Sequence, residues 1–123
     1  MTASSRAVAV PERWHLYVVD LGRRVGTRPG KHRPCLAIQP PGPAARVRST
    51  VILPLTTRLA AGSAFPLRVR IPDGTCGLRT SDIMIDQILA WDNSRFGTDL
   101  GQLPEGLQLA VQDALIEFFD LAA

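Results

Sequence analysis

Residues 47–55 read VRSTVILPL. The run is short, strongly apolar and rich in β-branched side chains, so it reads as a strand. Residues 40–45, PPGPAA, form a turn before it, and Thr56 to Ala64 is a connector after it. Upstream, Arg33 to Gln39 (RPCLAIQ) reads as another strand, with Pro34 tolerated only near its start or on an edge. Gly22 to His32 (GRRVGTRPGKH) is a basic, glycine-rich loop, and Trp14 to Leu21 (WHLYVVDL) is the first strand. Downstream, Phe65 to Ile71 alternates as FPLRVRI. This puts Leu67, Val69 and Ile71 on one face, with Arg68 and Arg70 on the other. After the turn PDGTCGL (72–78), Thr80 to Ala90 (TSDIMIDQILA) reads as a strand from its β-branched content and flanking glycines. Pro104 to Leu121 is the one clear helix. Leu107, Val111, Ala114, Leu115 and Phe118 recur at spacings of three and four, Pro104 suits the first turn, and Glu105 suits the positive end of the dipole. Strands first and a helix last predict a mainly β fold. It is either a strongly twisted antiparallel sheet or a small barrel, with the C-terminal helix packed on it.

Composition narrows the function classes. The chain has 123 residues, 46% of them hydrophobic, as expected for one globular domain. Residues 1–12 are expected to be a flexible extension and residues 13–123 the domain. No apolar run reaches the ~18 residues of a membrane span, and the N-terminus lacks a signal-peptide pattern, so a cytoplasmic location with no membrane partner is expected. Cys35 and Cys76 stand apart and read as packing thiols. No His/Cys/Asp cluster has zinc spacing, and no metal or cofactor is expected. Charge is lopsided. Residues 1–70 hold twelve Lys/Arg and two acids, whereas residues 71–123 hold two arginines and nine acids. The basic half suits a polyanion or an acidic partner. A solvated basic surface is the plainer alternative.

The sequence lacks a phosphate-binding Gly-rich loop followed by Lys-Ser/Thr, a Gly-x-Ser-x-Gly elbow and a second helix for a helix-turn-helix pair. Aromatic clusters for an RNA-stacking sheet are also missing. What remains is the basic loop leading into Arg33, and Thr56 at the end of a strand. That pair has a logic for RNA, whose 2′-hydroxyl is a nucleophile already beside the phosphate. A protein then needs to align it, stabilise phosphoryl charge and manage two protons. Arginine supplies a planar fork of donors for phosphate oxygens, and a threonine hydroxyl completes the cradle.

Taken in order, several segments carry a resemblance. They are VVDLG, GTRPGKHRP, the strand ending PLTTRL, FPLRVRIP, IDQILAWDNSRFG and GQLPEGLQLAVQDAL. Arg33-Pro34, Pro54-Leu55-Thr56, Asp86-Gln87-Ile88 and Asp92-x-Ser94-Arg95 are the most specific pieces. From about Trp14 to Leu121 the chain resembles the MazF/PemK family of toxins from bacterial toxin–antitoxin modules. The resemblance implies an SH3-like small barrel with a C-terminal helix, acting as a homodimer. It implies a sequence-specific, metal-independent endoribonuclease that cuts single-stranded RNA to leave 2′,3′-cyclic phosphate and 5′-hydroxyl ends. The family's catalytic arginine and threonine fall on Arg33 and Thr56. The substrate path includes Thr27, Arg28, Lys31 and His32 of the loop, together with Arg58 and Gln87. A small antitoxin with an acidic or amphipathic C-terminal segment is the implied inhibitor.

The loop departs from the family pattern. Many members carry Gly-Ser-Glu-Gln where this chain has Gly26-Thr27-Arg28-Pro29. The glutamate, a candidate general base, is replaced by Arg28, and a guanidinium is not a base. His32 is the neighbouring candidate to move a proton, although adjacent strand residues point to opposite faces. Trp14 reads as a packing residue with base stacking as the alternative, Asp86 as structural, Met84 and Trp91 as core or dimer interface, and Arg58, Arg68 and Arg70 as a solvated face with phosphate contact as the alternative. Two other functions stay open. One is a protein-binding toxin on the same barrel, like the related gyrase poisons. The other is a decayed toxin that still binds antitoxin.

Overall fold

The computed structural model describes residues 10–28, 30–40 and 47–121. The elements are β1 (His15–Asp20), β2 (His32–Ala37), β3 (Ser49–Thr56), β4 (Arg68–Ile71), β5 (Ser81–Met84), β6 (Leu89–Asp92), β7 (Phe96–Gln102) and α1 (Glu105–Phe119). The sheet runs β4-β5-β3-β2-β1-β7, with β6 also pairing β3, and every pairing is antiparallel. It is an open twisted sheet, since β4 and β7 end the path without pairing each other.

Strand β3 is the spine. One edge pairs β2, while the other pairs β6 along its first half and β5 along its second. Ile52 opposes Leu89 and Leu55 opposes Ile83, so six steps along the partner cover three along β3. The surplus three residues are the 3₁₀ turn Ile85–Gln87. The segment from Thr80 to Ala90 is therefore two strands, not one, and the insertion lifts Asp86 and Gln87 out of the sheet.

Side chains alternate across the sheet and make two cores. Leu16, Leu36, Leu53, Leu55, Ile83 and Ile85 pack with Val111 and Ala114 of α1 on one face. Tyr17, Val19, Cys35, Ala37 and Ile52 form the opposite face with Leu89, Trp91 and Phe96. Burial pushes the Cys35 thiol up to about 12, leaving it an apolar packing group. Trp14 packs against the helix-side core, with Arg13 over its ring.

Two further expectations need correction. Phe65–Leu67 is a turn, with only Arg68–Ile71 as strand; Pro66 has no N–H for a ladder, and Phe65 and Leu67 are exposed. Phe118 lies on the exposed side of α1, and Gln108 is buried in its stead, bonding the Leu103 carbonyl. Strand β7, FGTDLGQ, pairs β1 despite two glycines and an aspartate that disfavour strands.

Polar groups staple the ends. Buried Thr50 donates to Asn93 Oδ1 at 2.6 Å, Asn93 donates to the Val47 carbonyl, and Asp92 caps the turn Asn93–Arg95 through the Ser94 N–H. Arg95 pairs with Asp20 at 3.0 Å. The Asp92-x-Ser94-Arg95 stretch thus works for the fold.

The largest polar investment is Asp82, only 1% exposed on β5. It accepts from Arg70 Nε at 2.9 Å, Arg68 Nη1 at 3.3 Å and the Ala60 N–H at 2.8 Å. Arg70 also bonds the Ala60 carbonyl and Arg68 the Arg58 carbonyl. Arg68 and Arg70 are thus tied to a buried acid rather than forming a free solvated face, and they fix the connector after Thr56. Burial alone raises the Asp82 carboxyl. The Arg70 hydrogen bond, the Ala60 N–H and the charges of Arg70 and Arg68 outweigh it and hold the group below the ordinary carboxylate value.

Two stability predictions result. Thr50→Val keeps shape but orphans Asn93 Oδ1, and is expected to cost about 1–2 kcal/mol in denaturant unfolding. Asp82→Asn should cost about 1–2 kcal/mol at pH 7, moderated because both arginines are partly hydrated. A depressed carboxyl stabilises fully above its unfolded value and loses that contribution as pH falls through the folded one. The gap in unfolding temperature between wild type and Asp82→Asn should therefore close below about pH 4.

Candidate nucleic-acid cleavage site

The register of β2 on β3 builds the site. Cys35 opposes Pro54 and Ala37 opposes Ile52. Continuing that register brings Arg33 opposite Thr56, on the face away from α1. The Ile38 N–H bonds the Val51 carbonyl at 3.0 Å, and the Asn93 N–H bonds the Arg48 carbonyl at 2.7 Å. Odd-numbered residues of β3 therefore aim their peptide groups at β2, and even-numbered ones at β6 and β5. The Leu55 carbonyl faces Pro34, which has no N–H to offer. Arg33 Nη1 takes its place at 3.0 Å, and Arg33 Nε lies 3.5 Å from the Gly30 carbonyl. Two donors are spent on backbone, leaving the other three of the guanidinium available.

Thr56 is half-buried, and its hydroxyl oxygen accepts from the Arg58 N–H at 3.1 Å. The hydroxyl caps the turn and keeps its own proton to donate. The Asp82 clamp holds the same turn from the other side through Ala60 and, via Arg68, through the Arg58 carbonyl.

A cleft of about 450 Å³ opens here, and its wall includes Arg33, Thr56, Thr27, Arg58, Gln87 and Arg24. Gly30, Thr57, Arg68 and Met84 complete it. Four arginines and no carboxylate line it, so the cleft is a donor-rich, positively charged basin fitted to an anion. Gln87 reaches it because of the inserted turn. The loop closes tightly behind it. A Cβ on Gly30 would lie 2.5 Å from the Arg24 backbone nitrogen, so only glycine fits.

Five of the eight residues named from sequence meet in this cleft: Arg33, Thr56, Thr27, Arg58 and Gln87. Three do not line it. Lys31 borders a neighbouring depression that shares Arg24, Gly30 and Arg33. His32 is exposed beside Asp20 of the neighbouring β1, on the opposite face of β2 from Arg33. Arg28 turns away. Its guanidinium lies 5.0 Å over the Trp91 ring and Nη2 donates to the Arg23 carbonyl. Trp91 in turn donates to the Asp20 carbonyl at 2.8 Å. Arg28 therefore braces the loop against the sheet. Asp86 is exposed, while Met84 is buried at the cleft floor. Arg24 and Thr57 were not singled out from sequence, although Arg24 sits in the basic loop and Thr57 follows Thr56.

Comparison with known proteins identifies the family. Residues 12–119 match the family described as PemK-like, MazF-like toxin of type II toxin-antitoxin system. The chain is 32% identical over 113 residues to "Endoribonuclease MazF6" of Mycobacterium tuberculosis, covering 91% of this chain and 99% of that protein. It is equally similar to "Endoribonuclease MazF2" of Mycobacterium bovis. Its fold is similar to the crystal structure of MazF from Deinococcus radiodurans, with a TM-score of 0.78 at 24% identity over 92% of this chain and 99% of that one. A mycobacterial endoribonuclease in complex with its cognate antitoxin superposes with a TM-score of 0.73 at 20% identity, covering 92% of this chain and 98% of that one. The chain belongs to the PemK-like, MazF-like toxins of type II toxin–antitoxin systems.

Proposed function

We propose that this toxin is an endoribonuclease that cuts single-stranded RNA at specific sequences through the RNA's own 2′-hydroxyl, without a metal ion. The observation that carries the reading is the cross-strand placement of Arg33 and Thr56 in a cleft lined by four arginines. The 2′-oxygen attacks phosphorus, the bond from phosphorus to the 5′-oxygen breaks, and a 2′,3′-cyclic phosphate and a 5′-hydroxyl result. One proton leaves the 2′-hydroxyl and one arrives on the 5′-oxygen. Arg33 presents its free N–H groups to the non-bridging oxygens, where negative charge grows as the fifth bond forms. Thr56 donates its hydroxyl proton into the same cradle. Arginines supply the positive charge that a metal provides in other nucleases. Thr27, Arg24, Arg58 and Gln87 flank the pair and suit phosphate and base-edge contacts.

An acidic antitoxin segment would compete for the same basin on charge alone. The structural relative bound to its cognate antitoxin supports that partner for this chain. We place the toxin in the cytoplasm with its RNA, as a homodimer in keeping with the family. The donor set also favours cleavage over the purely protein-binding alternative, because gripping a protein needs no aligned arginine and threonine.

Arg33→Ala and Thr56→Ala are each expected to lower the cleavage rate on a long single-stranded RNA by roughly 10²-fold or more, the scale of losing one donor to a developing oxyanion. Both variants should stay folded, with Thr56→Ala near the wild-type unfolding temperature and Arg33→Ala a few degrees lower because it leaves the Leu55 carbonyl without its donor. An Arg33→Ala protein that cuts normally rules out this site.

A further inference from the structure

We infer that Pro34 is a positioning residue for Arg33: by withholding a backbone N–H from the Leu55 carbonyl, it leaves that acceptor to the guanidinium. The inference rests on the reading of the cleft as the RNA-cleaving site. Strand β2 lies between β1 and β3, so Pro34 is flanked by strands on both sides. It is near the start of β2 but not on an edge, the setting where proline forfeits a ladder bond. The register names the group that loses its donor: the carbonyl of Leu55, a residue 2% exposed. A buried carbonyl left bare is costly, so it recruits another donor. Arg33 Nη1 is that donor, at 3.0 Å, while the Gly30 contact at 3.5 Å is too long to anchor the side chain by itself.

The consequence is geometric. Leu55 immediately precedes Thr56, so the carbonyl that anchors the guanidinium belongs to the residue next to the hydroxyl it must work with. The missing N–H thereby couples the two groups through one peptide. Any other residue at position 34 would donate its own N–H to Leu55 and compete with Arg33. The side chain would then sample several rotamers instead of one, and the reacting groups would be aligned for less of the time.

Pro34→Ala restores that N–H. Pro54→Ala is the matched control, because the peptide group of an even-numbered β3 residue points away from β2. Three quantities are read in both proteins and in wild type. They are kcat and KM on a single-stranded RNA, hydrogen exchange at the introduced amide, and sharpness of the Arg33 side-chain N–H signals in NMR.

The expected result for Pro34→Ala is an exchange-protected new amide, broadened Arg33 signals, an unchanged or higher unfolding temperature, KM close to wild type, and kcat lower by roughly tenfold. Pro54→Ala should keep wild-type kcat and sharp Arg33 signals. Each of three results overturns the inference: an unprotected new amide in Pro34→Ala, Arg33 signals as sharp as wild type, or an equal kcat loss in both variants. A kcat loss that merely follows a fall in unfolding temperature overturns it as well. Wild-type protein that fails to cut RNA removes the cleavage reading instead, and the Arg33 signals still decide whether Pro34 positions that side chain.

Discussion

The hydrogen bond from Arg33 to the Leu55 carbonyl is the constraint on which the site depends. It exists because β2 and β3 hold one register, in which Cys35 faces Pro54. A slip of β2 by one residue would turn Arg33 toward the helix side and leave Thr56 on the opposite face. The apolar alternation of β2 forbids that slip, since it would carry Cys35 and Ala37 to the helix side and pull Leu36 out of the core beside α1. Packing on two faces of a sheet thus sets the geometry of two polar side chains at its end.

Electrostatics completes what packing begins. A cleft with four arginines is self-repelling, and the fold manages this without placing an acid in the wall. Asp82 sits behind it, buried, and binds Arg68 and Arg70 together with the backbone of Ala60. It neutralises cations from the rear and holds the turn that carries Thr56 and Arg58, while the donor surface faces outward. On the far side, Arg28 stacks on Trp91 and braces the loop. A position that many family members fill with a carboxylate therefore serves the scaffold here. In the proposed reaction, recognition and charge stabilisation then rest on arginine, threonine and glutamine.

Much of this was legible in the chain. VRSTVILPL announced the spine strand, the basic glycine-rich segment announced the loop, and the stripe through Val111 and Ala114 announced the helix. Arg33 and Thr56 stood out through family resemblance together with the chemistry of their side chains. Other features depend on contacts between distant residues. FGTDLGQ has poor strand propensity and becomes β7 because β1 offers it an open edge. TSDIMIDQILA is uniformly strand-like, and the three-residue insertion that aims Gln87 at the cleft shows only against β3. Asp82 reads as one acid among apolar neighbours until β4 brings two arginines beside it. Arg28 and Trp91 lie far apart in sequence, so their stacking has no local signal.

The central claim is that this cleft cuts RNA by engaging the RNA's own 2′-hydroxyl with protein donors alone. The direct measurement uses purified toxin in EDTA and a single-stranded oligonucleotide carrying its preferred cleavage site, either all-ribose or with one 2′-deoxy sugar on the 5′ side of the cut. The account predicts cutting of the all-ribose strand, a 2′,3′-cyclic phosphate on the upstream product, and no cutting at the deoxy position. Cleavage of the deoxy strand, or products bearing a 5′-phosphate, would contradict it.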